Sequence, residues 1–227
     1  MSRRLTCLRG GINLEAPKMT TVFLAGSIKI RHLHDEVQVR MMNILSMNYD
    51  VIVGDADGAD SAIQQFLFDQ GAPKVTVYCS GDLPRNNFGG WPVCQVTTYH
   101  AKHSRAYFTA KDVAMANAAD LGLMIWDGMS TGTLNNVIEL LARKRNSLVF
   151  ISKDQQFHRI LSVNDLQELV ARMASAARAK ADTRIALSSR IKGLRSRAMQ
   201  DNMLALRAAR SDLSRLAPLE PDSVVPS

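Results

Sequence analysis

Cysteine is scarce in this chain. The three present, Cys7, Cys79 and Cys94, are an odd number at wide spacing with no CxxC pair, so neither a disulfide framework nor a zinc site is signalled. Long apolar runs are missing as well. No stretch approaches the roughly 20 residues of a membrane span, and the opening Met1-Ser2-Arg3-Arg4-Leu5-Thr6-Cys7-Leu8-Arg9 is too polar for a signal peptide. These absences predict a cytoplasmic protein with no membrane partner. No Gly-Lys-Ser/Thr follows a glycine loop and no Gly-x-Gly-x-x-Gly occurs, which disfavours Walker-type ATP hydrolysis and hydride transfer. His100 and His103 stand three apart without a third ligand, so no metal is expected. The sequence names no cofactor.

What remains is an ordinary apolar content carrying a lopsided charge. With 227 residues, 46% of them hydrophobic, the chain suffices for one α/β domain plus an appendage. The net charge is +7, yet between Val170 and Leu216 eleven Arg or Lys face three Asp, so the rest of the chain is close to neutral. This basic stretch reads either as a footprint for nucleic acid or as a solvated helical face whose Arg stems cover apolar surface.

Four regions follow. Residues 1–19 form a loose leader with Gly10-Gly11 and Pro17, in which Met19 is an alternative start to Met1. Over 20–152, apolar runs of strand length (Thr21 to Ala25, Val51 to Val53, Lys74 to Tyr78, Leu121 to Trp126, Ser147 to Ile151) alternate with helical periods. Helices are predicted from His32 to Met47, after Asp57 or Asp60 as cap, from Thr109 to Ala119, and from Thr133 or Asn135 to Arg143. Such alternation requires right-handed crossovers and predicts a doubly wound parallel sheet. The irregular stretch from Ser80 to Tyr107, with donors at Arg85, Asn86, Asn87, His100, Lys102, His103 and Arg105, reads as a binding loop or a solvated connector.

Residues 153–217 form a basic amphipathic helical extension. It starts with a short edge strand at Phe157 to Ile160 and a capping-box-like Ser162 and Asp165. Its apolar positions, Val163, Leu166, Val170, Met173 and Ala177, then Leu187, Ile191, Leu194, Met199, Met203, Leu206 and Leu213, form seams that need a partner surface. A second copy in a two-fold dimer is the expected partner, with folding back onto the same domain as the alternative. Residues 218–227, with three prolines and no period, are expected to be disordered.

The chemistry concentrates in loops that follow strands. Gly26-Ser27, Gly54-Asp55-Ala56-Asp57-Gly58-Ala59-Asp60 and Asp127-Gly128-Met129-Ser130-Thr131-Gly132-Thr133 all fall where a parallel sheet exposes backbone N–H groups at helix starts, which attract phosphate. The candidate ligand-binding set is therefore Gly26, Ser27, Gly54, Asp55, Asp57, Gly58, Asp60, Asp127, Gly128, Ser130, Gly132 and Thr133. Phosphate is expected at Gly26-Ser27 and Gly132-Thr133, and sugar or base near Asp55 and Asp127. The Asp residues read alternatively as helix caps that complement the dipole.

The ordered combination of Leu24-Ala25-Gly26-Ser27, Gly54 to Ala62, and Ala119 to Gly128 with Ser130-Thr131-Gly132-Thr133 resembles the YspA-like branch of the SLOG superfamily. The resemblance spans about 20–152 and implies a Rossmann-like fold that holds nucleotides or nucleotide-derived signals. The superfamily includes the LOG phosphoribohydrolases, a DNA-processing protein and ligand-sensing antiphage domains. LOG hydrolases follow their Gly-Thr within three residues by a catalytic glutamate, where this chain has Gly132-Thr133-Leu134-Asn135-Asn136. Asparagine supplies no carboxylate, and Glu139 lies a further turn along. This departure from the LOG pattern favours binding without turnover. The alternatives are an N-glycosidic nucleoside or nucleotide hydrolase using Asp55, Asp127 or Glu139, and a nucleic-acid-binding protein acting through the basic helices.

Overall fold

The computed structural model describes residues 19–101 and 104–215. Its strands are β1 (Thr21–Gly26), β2 (Asp50–Gly54), β3 (Val75–Ser80), β4 (Val93–Val96), β5 (Leu121–Trp126), β6 (Asn146–Ile151) and β7 (Gln156–Ile160). They form one sheet in the order β4-β3-β2-β1-β5-β6-β7, in which every neighbouring pair is parallel except the antiparallel β6 and β7. The chain runs outward from β1 to one edge, then returns to β5 on the other side of β1. The fold is α/β and Rossmann-like, and its strand order reverses between β1 and β5.

Two apolar layers explain why the central strands read as unbroken apolar runs. On one face, Val22 and Leu24 of β1 and Leu123 and Ile125 of β5 pack with α1 (Asp35–Ser46) and α2 (Ala59–Asp69) through Val37, Met41, Ile63 and Leu67. On the other, Phe23, Ala25, Met124 and Trp126 pack with α3 (Arg105–Ala118) and α4 (Thr131–Ala142). A strand buried on both sides has no polar face to alternate with.

The structure moves several boundaries. Helix α1 starts at Asp35 rather than His32, because His34 serves as its cap and accepts from the Glu36 N–H at 3.3 Å. Helix α3 starts four residues before Thr109, since Ser104 accepts from the Tyr107 N–H. Helix α4 opens at Thr131 because Ser130, not Thr133 or Asn135, is the cap. Helix α2 is capped by neither Asp57 nor Asp60. Its cap is Gly58 at φ 81°, with no side-chain hydrogen bond, and a Cβ there would come within 2.1 Å of the Ile28 carbonyl oxygen. The stretch from Ser80 to Tyr107 holds one unexpected strand, β4, a four-residue edge strand whose residues alternate between exposed and partly buried, too short to give a buried apolar run.

The extension joins the same body. β7 adds an edge to the sheet, and α5 (Val163–Ala171) begins with the capping box of Ser162 and Asp165. Helices α6 (Ser175–Ile185) and α7 (Leu187–Arg215) follow. The seam of Leu166, Val170, Met173, Ala177, Leu187 and Leu194 is buried in the core layer that also holds α4. The expectation that Leu187, Ile191 and Leu194 meet a second subunit is thereby corrected: they pack inside their own chain. Beyond them, Met199, Met203 and Leu206 are 68%, 52% and 70% exposed. Among the described residues no helix is long and apolar enough to cross a membrane. The leader up to residue 18 and the tail from residue 216 lie outside the described residues.

Leu187 is fully buried where α7 docks. Leu187→Ala is expected to cost about 2–5 kcal/mol, in line with other large-to-small core substitutions. Urea unfolding of the variant checks this, and a change within experimental error would show that α7 contributes no core packing.

Candidate functional site

The reversal between β1 and β5 brings two of the three loops together. Ser27, fully buried at the end of β1, donates from Oγ to Asp127 Oδ1 at 3.1 Å and accepts from the Asp127 N–H at 3.1 Å. Its hydroxyl also lies 3.2 Å from Thr133 Oγ1. The Asp127 carboxylate closes its own loop, accepting from the Met129 and Ser130 N–H groups at 2.9 and 2.7 Å. Ser130 Oγ in turn accepts from Thr133 Oγ1 at 3.2 Å. Residues a hundred positions apart thus share one hydrogen-bond network beneath the amino end of α4. Gly128 takes φ 77°, and Gly132 is exposed, a Cβ there meeting nothing closer than Ser130 Oγ at 3.9 Å. Ser27 and Thr133 are buried, Asp127 and Ser130 are partly buried, and the helix start above them is open.

The third loop, at the end of β2, is built differently. Asp55 is 3% exposed. Its Oδ1 accepts from Lys111 Nζ at 2.7 Å and Arg85 Nη2 at 2.8 Å, and its Oδ2 accepts from Arg85 Nε and the Arg85 backbone N–H. Burial alone would raise this carboxyl, but the Arg85 hydrogen bonds and the Lys111 charge hold it well below the usual carboxylate range. Asp60 is also buried, 3.8 Å from Lys111 Nζ, and accepts backbone hydrogen bonds from Ala56 and Gly26. Burial raises its carboxyl. Gly54 is required here, because a Cβ would lie 2.3 Å from Asp60 Oδ2 and 2.7 Å from Lys111 Nζ. Asp57 is exposed and accepts from Asn86 Nδ2 at 3.1 Å.

Asp55 and Asp60 therefore hold protein cations, while Asp57 is exposed and Asp127, partly exposed, closes its own loop. The sequence expectation placed sugar or base near Asp55, but its oxygens are occupied by Arg85 and Lys111. Lys111 went unnoticed, although a signal existed. Tyr107, Lys111, Met115 and Ala119 recur every four residues and all are buried, so a lysine stands in an otherwise apolar stripe.

The remaining candidates lie elsewhere. Glu139 is clamped between Arg143 Nη1 and Arg190 Nη2, each at 2.5 Å, and Arg190 also donates to Asn135. Both residues serve to dock α7 on α4. Asn136 is buried, with its Oδ1 unpartnered. His103 lies outside the described residues, among which no group of His, Cys, Asp or Glu is arranged to hold a metal ion. A cleft of about 440 Å³ between α5, α6 and α7 is lined by Arg178, Lys192 and Arg195 and contains none of the loop residues. Compared with known proteins, the chain matches no family model, no curated protein and no solved structure.

Next to Lys111, burial pushes the Asp112 carboxyl up to about 7, only partly offset by the Lys111 charge. A carboxyl raised in the folded state binds its proton more tightly there than in the unfolded chain. Its contribution is full below about pH 4 and is lost as pH rises through about 7. Asp112→Asn is expected to flatten the fall in melting temperature between pH 5 and pH 8. Melts of both proteins across that range check it, and parallel curves would remove Asp112 from the account.

Proposed function

We propose that the chain binds a nucleotide or nucleotide-derived small molecule in the crevice between β1 and β5, as a cytoplasmic protein of SLOG type. The observation that carries this reading is the convergence of Ser27, Asp127, Ser130 and Thr133 under the open start of α4, where the strand order reverses. Helix starts at such reversals favour anions through their N–H groups and dipole. Phosphate is assigned to the Gly128 to Thr133 loop at the start of α4; the donors of Gly26-Ser27, where it was also expected, are taken by Asp60, Ile125 and Asp127, so Ser27 supports that loop from beneath. Asp127 and Asp57 are the acceptors for sugar or base, and Asp55 acts through Arg85.

Binding without turnover is the better reading of the carboxylates. Glu139 is taken by two guanidiniums on the docking face of α7, and Asp55 is held ionised by two cations. Neither is placed to exchange a proton with a ligand. The hydrolase alternative is left with Asp127, whose Oδ1 already accepts three hydrogen bonds.

Calorimetric titration with nucleoside phosphates and ADP-ribose derivatives tests the reading, together with Gly132→Ala. The added methyl meets open space in the protein, and alanine favours the helix by up to about 1 kcal/mol over glycine. Stability should hold or rise while affinity drops at least about tenfold, because the methyl occupies the ligand's approach. Full affinity in the variant would move the phosphate elsewhere, and a folded wild-type protein that binds none of the panel would overturn the reading.

We also propose that the chain pairs with a second copy through Met199, Met203 and Leu206, which recur at four and three residues on the outer part of α7. A projecting helix is marginal in water without a partner for its apolar stripe. Light scattering should give a dimer for the intact chain and a monomer for Met203→Glu with Leu206→Glu. A monomeric intact chain would rule the pairing out.

A further inference from the structure

The guanidinium of Arg85 is oriented more firmly than neutralising Asp55 requires. Nε and Nη2 grip the two Asp55 oxygens at 3.0 and 2.8 Å, and the Phe108 ring lies 5.0 Å from the guanidinium carbon. The loop that carries it is fastened at each step. Asn86 Nδ2 donates to the Asp55 carbonyl at 2.9 Å, Gln64 Nε2 donates to the Asn86 carbonyl, and Gln64 Oε1 accepts from the Phe88 N–H. Gln64 is itself fully buried. Lys111 already supplies Asp55 with a buried counter-charge at 2.7 Å. Yet the Arg85 side chain stays 42% exposed, and its Nη1 has no partner among the described residues.

A half-exposed arginine with one edge and one face fixed presents its outer edge at a set angle. Such a fork matches phosphate or carboxylate, and its orientation lowers the entropy lost when an anion is bound. A connector that only had to close over the sheet would gain nothing from this.

Arg85 also lies at a defined place relative to the crevice. It is anchored on Asp55 at the end of β2, and β1 separates β2 from β5. Two strand spacings put Asp55 about 10 Å from Asp127. The same cluster reaches back to the end of β1, since Asp60 beside Lys111 accepts from the Gly26 N–H. A ligand whose phosphate sits at the start of α4 meets Arg85 only with its other end.

Building on the crevice reading, we propose that Arg85 recognises a second anionic group of the ligand, so that the site selects nucleotides carrying two separate anionic groups within about 10 Å of each other. The first group is held by the start of α4 and the second by the outer edge of Arg85. Asp55 and Phe108 are positioning residues that keep the guanidinium in place.

The test is calorimetric titration of full-length wild type, Arg85→Ala and Arg85→Lys with the four ribonucleoside 5′-monophosphates and the corresponding 3′,5′-bisphosphates. Wild type should bind a bisphosphate about 10- to 100-fold more tightly than its monophosphate, as a charge-assisted contact to phosphate allows. Arg85→Ala should remove that preference, bringing bisphosphate affinity down to that of the monophosphate, and Arg85→Lys should restore part of it. A preference that survives Arg85→Ala overturns the proposal and leaves the crevice reading intact. An equal loss for both classes together with a lowered melting temperature makes Arg85 a loop clamp only, which also overturns it. If wild type binds neither class, the crevice reading falls and this proposal with it.

Discussion

The buried ion cluster of Asp55, Lys111 and Asp60 is the constraint on which one wall of the crevice depends. Charges removed from water are costly unless they are paired and hydrogen-bonded, and removing one partner leaves another stranded. Lys111 is 4% exposed and reaches both carboxylates. Because Asp55 ends β2, Asp60 starts α2 and Lys111 belongs to α3, the three charges fix a strand and helices from both faces of the sheet. Arg85 adds the loop after β3, and the Gly26 N–H adds the end of β1. The glycine at position 54 is what lets these groups meet, since any side chain there would occupy their space.

Helix α4 links the two halves of the molecule. Its first turn roofs the hydrogen-bond network of Ser27 and Asp127, and one turn later Asn135 and Glu139 receive Arg190 from α7. Asn135 thus faces Arg190, and Asn136 the protein interior. Anion binding at the open start of the same helix needs only backbone groups and small side chains.

The central strands were legible in the sequence because burial on both faces leaves unbroken apolar runs, as in Val22 to Ala25 and Leu121 to Trp126. The capping box at Ser162 and Asp165 was legible for a local reason, the reciprocal fit of two side chains to one helix start. The loops were legible as loops, but not the use each carboxylate is put to. Whether an aspartate caps a helix, binds a ligand or pairs with a lysine from another helix depends on tertiary neighbours. Asp55 and Asp60 met Lys111 from fifty residues away. The same limit applies to α7, where Leu187 and Met203 share a helical apolar pattern, yet one is buried and the other is exposed. Strand β4 escaped notice because an exposed edge strand needs no apolar face.

The claim at the centre of this account is that ligand phosphate sits where β1 and β5 diverge. Backbone amide NMR during titration with a nucleoside 3′,5′-bisphosphate tests it most directly. The account predicts that shift changes concentrate at Gly26, Ser27 and Gly128 to Thr133, with a weaker second set around Arg85. Changes confined to the basic cleft of Arg178, Lys192 and Arg195 would contradict it.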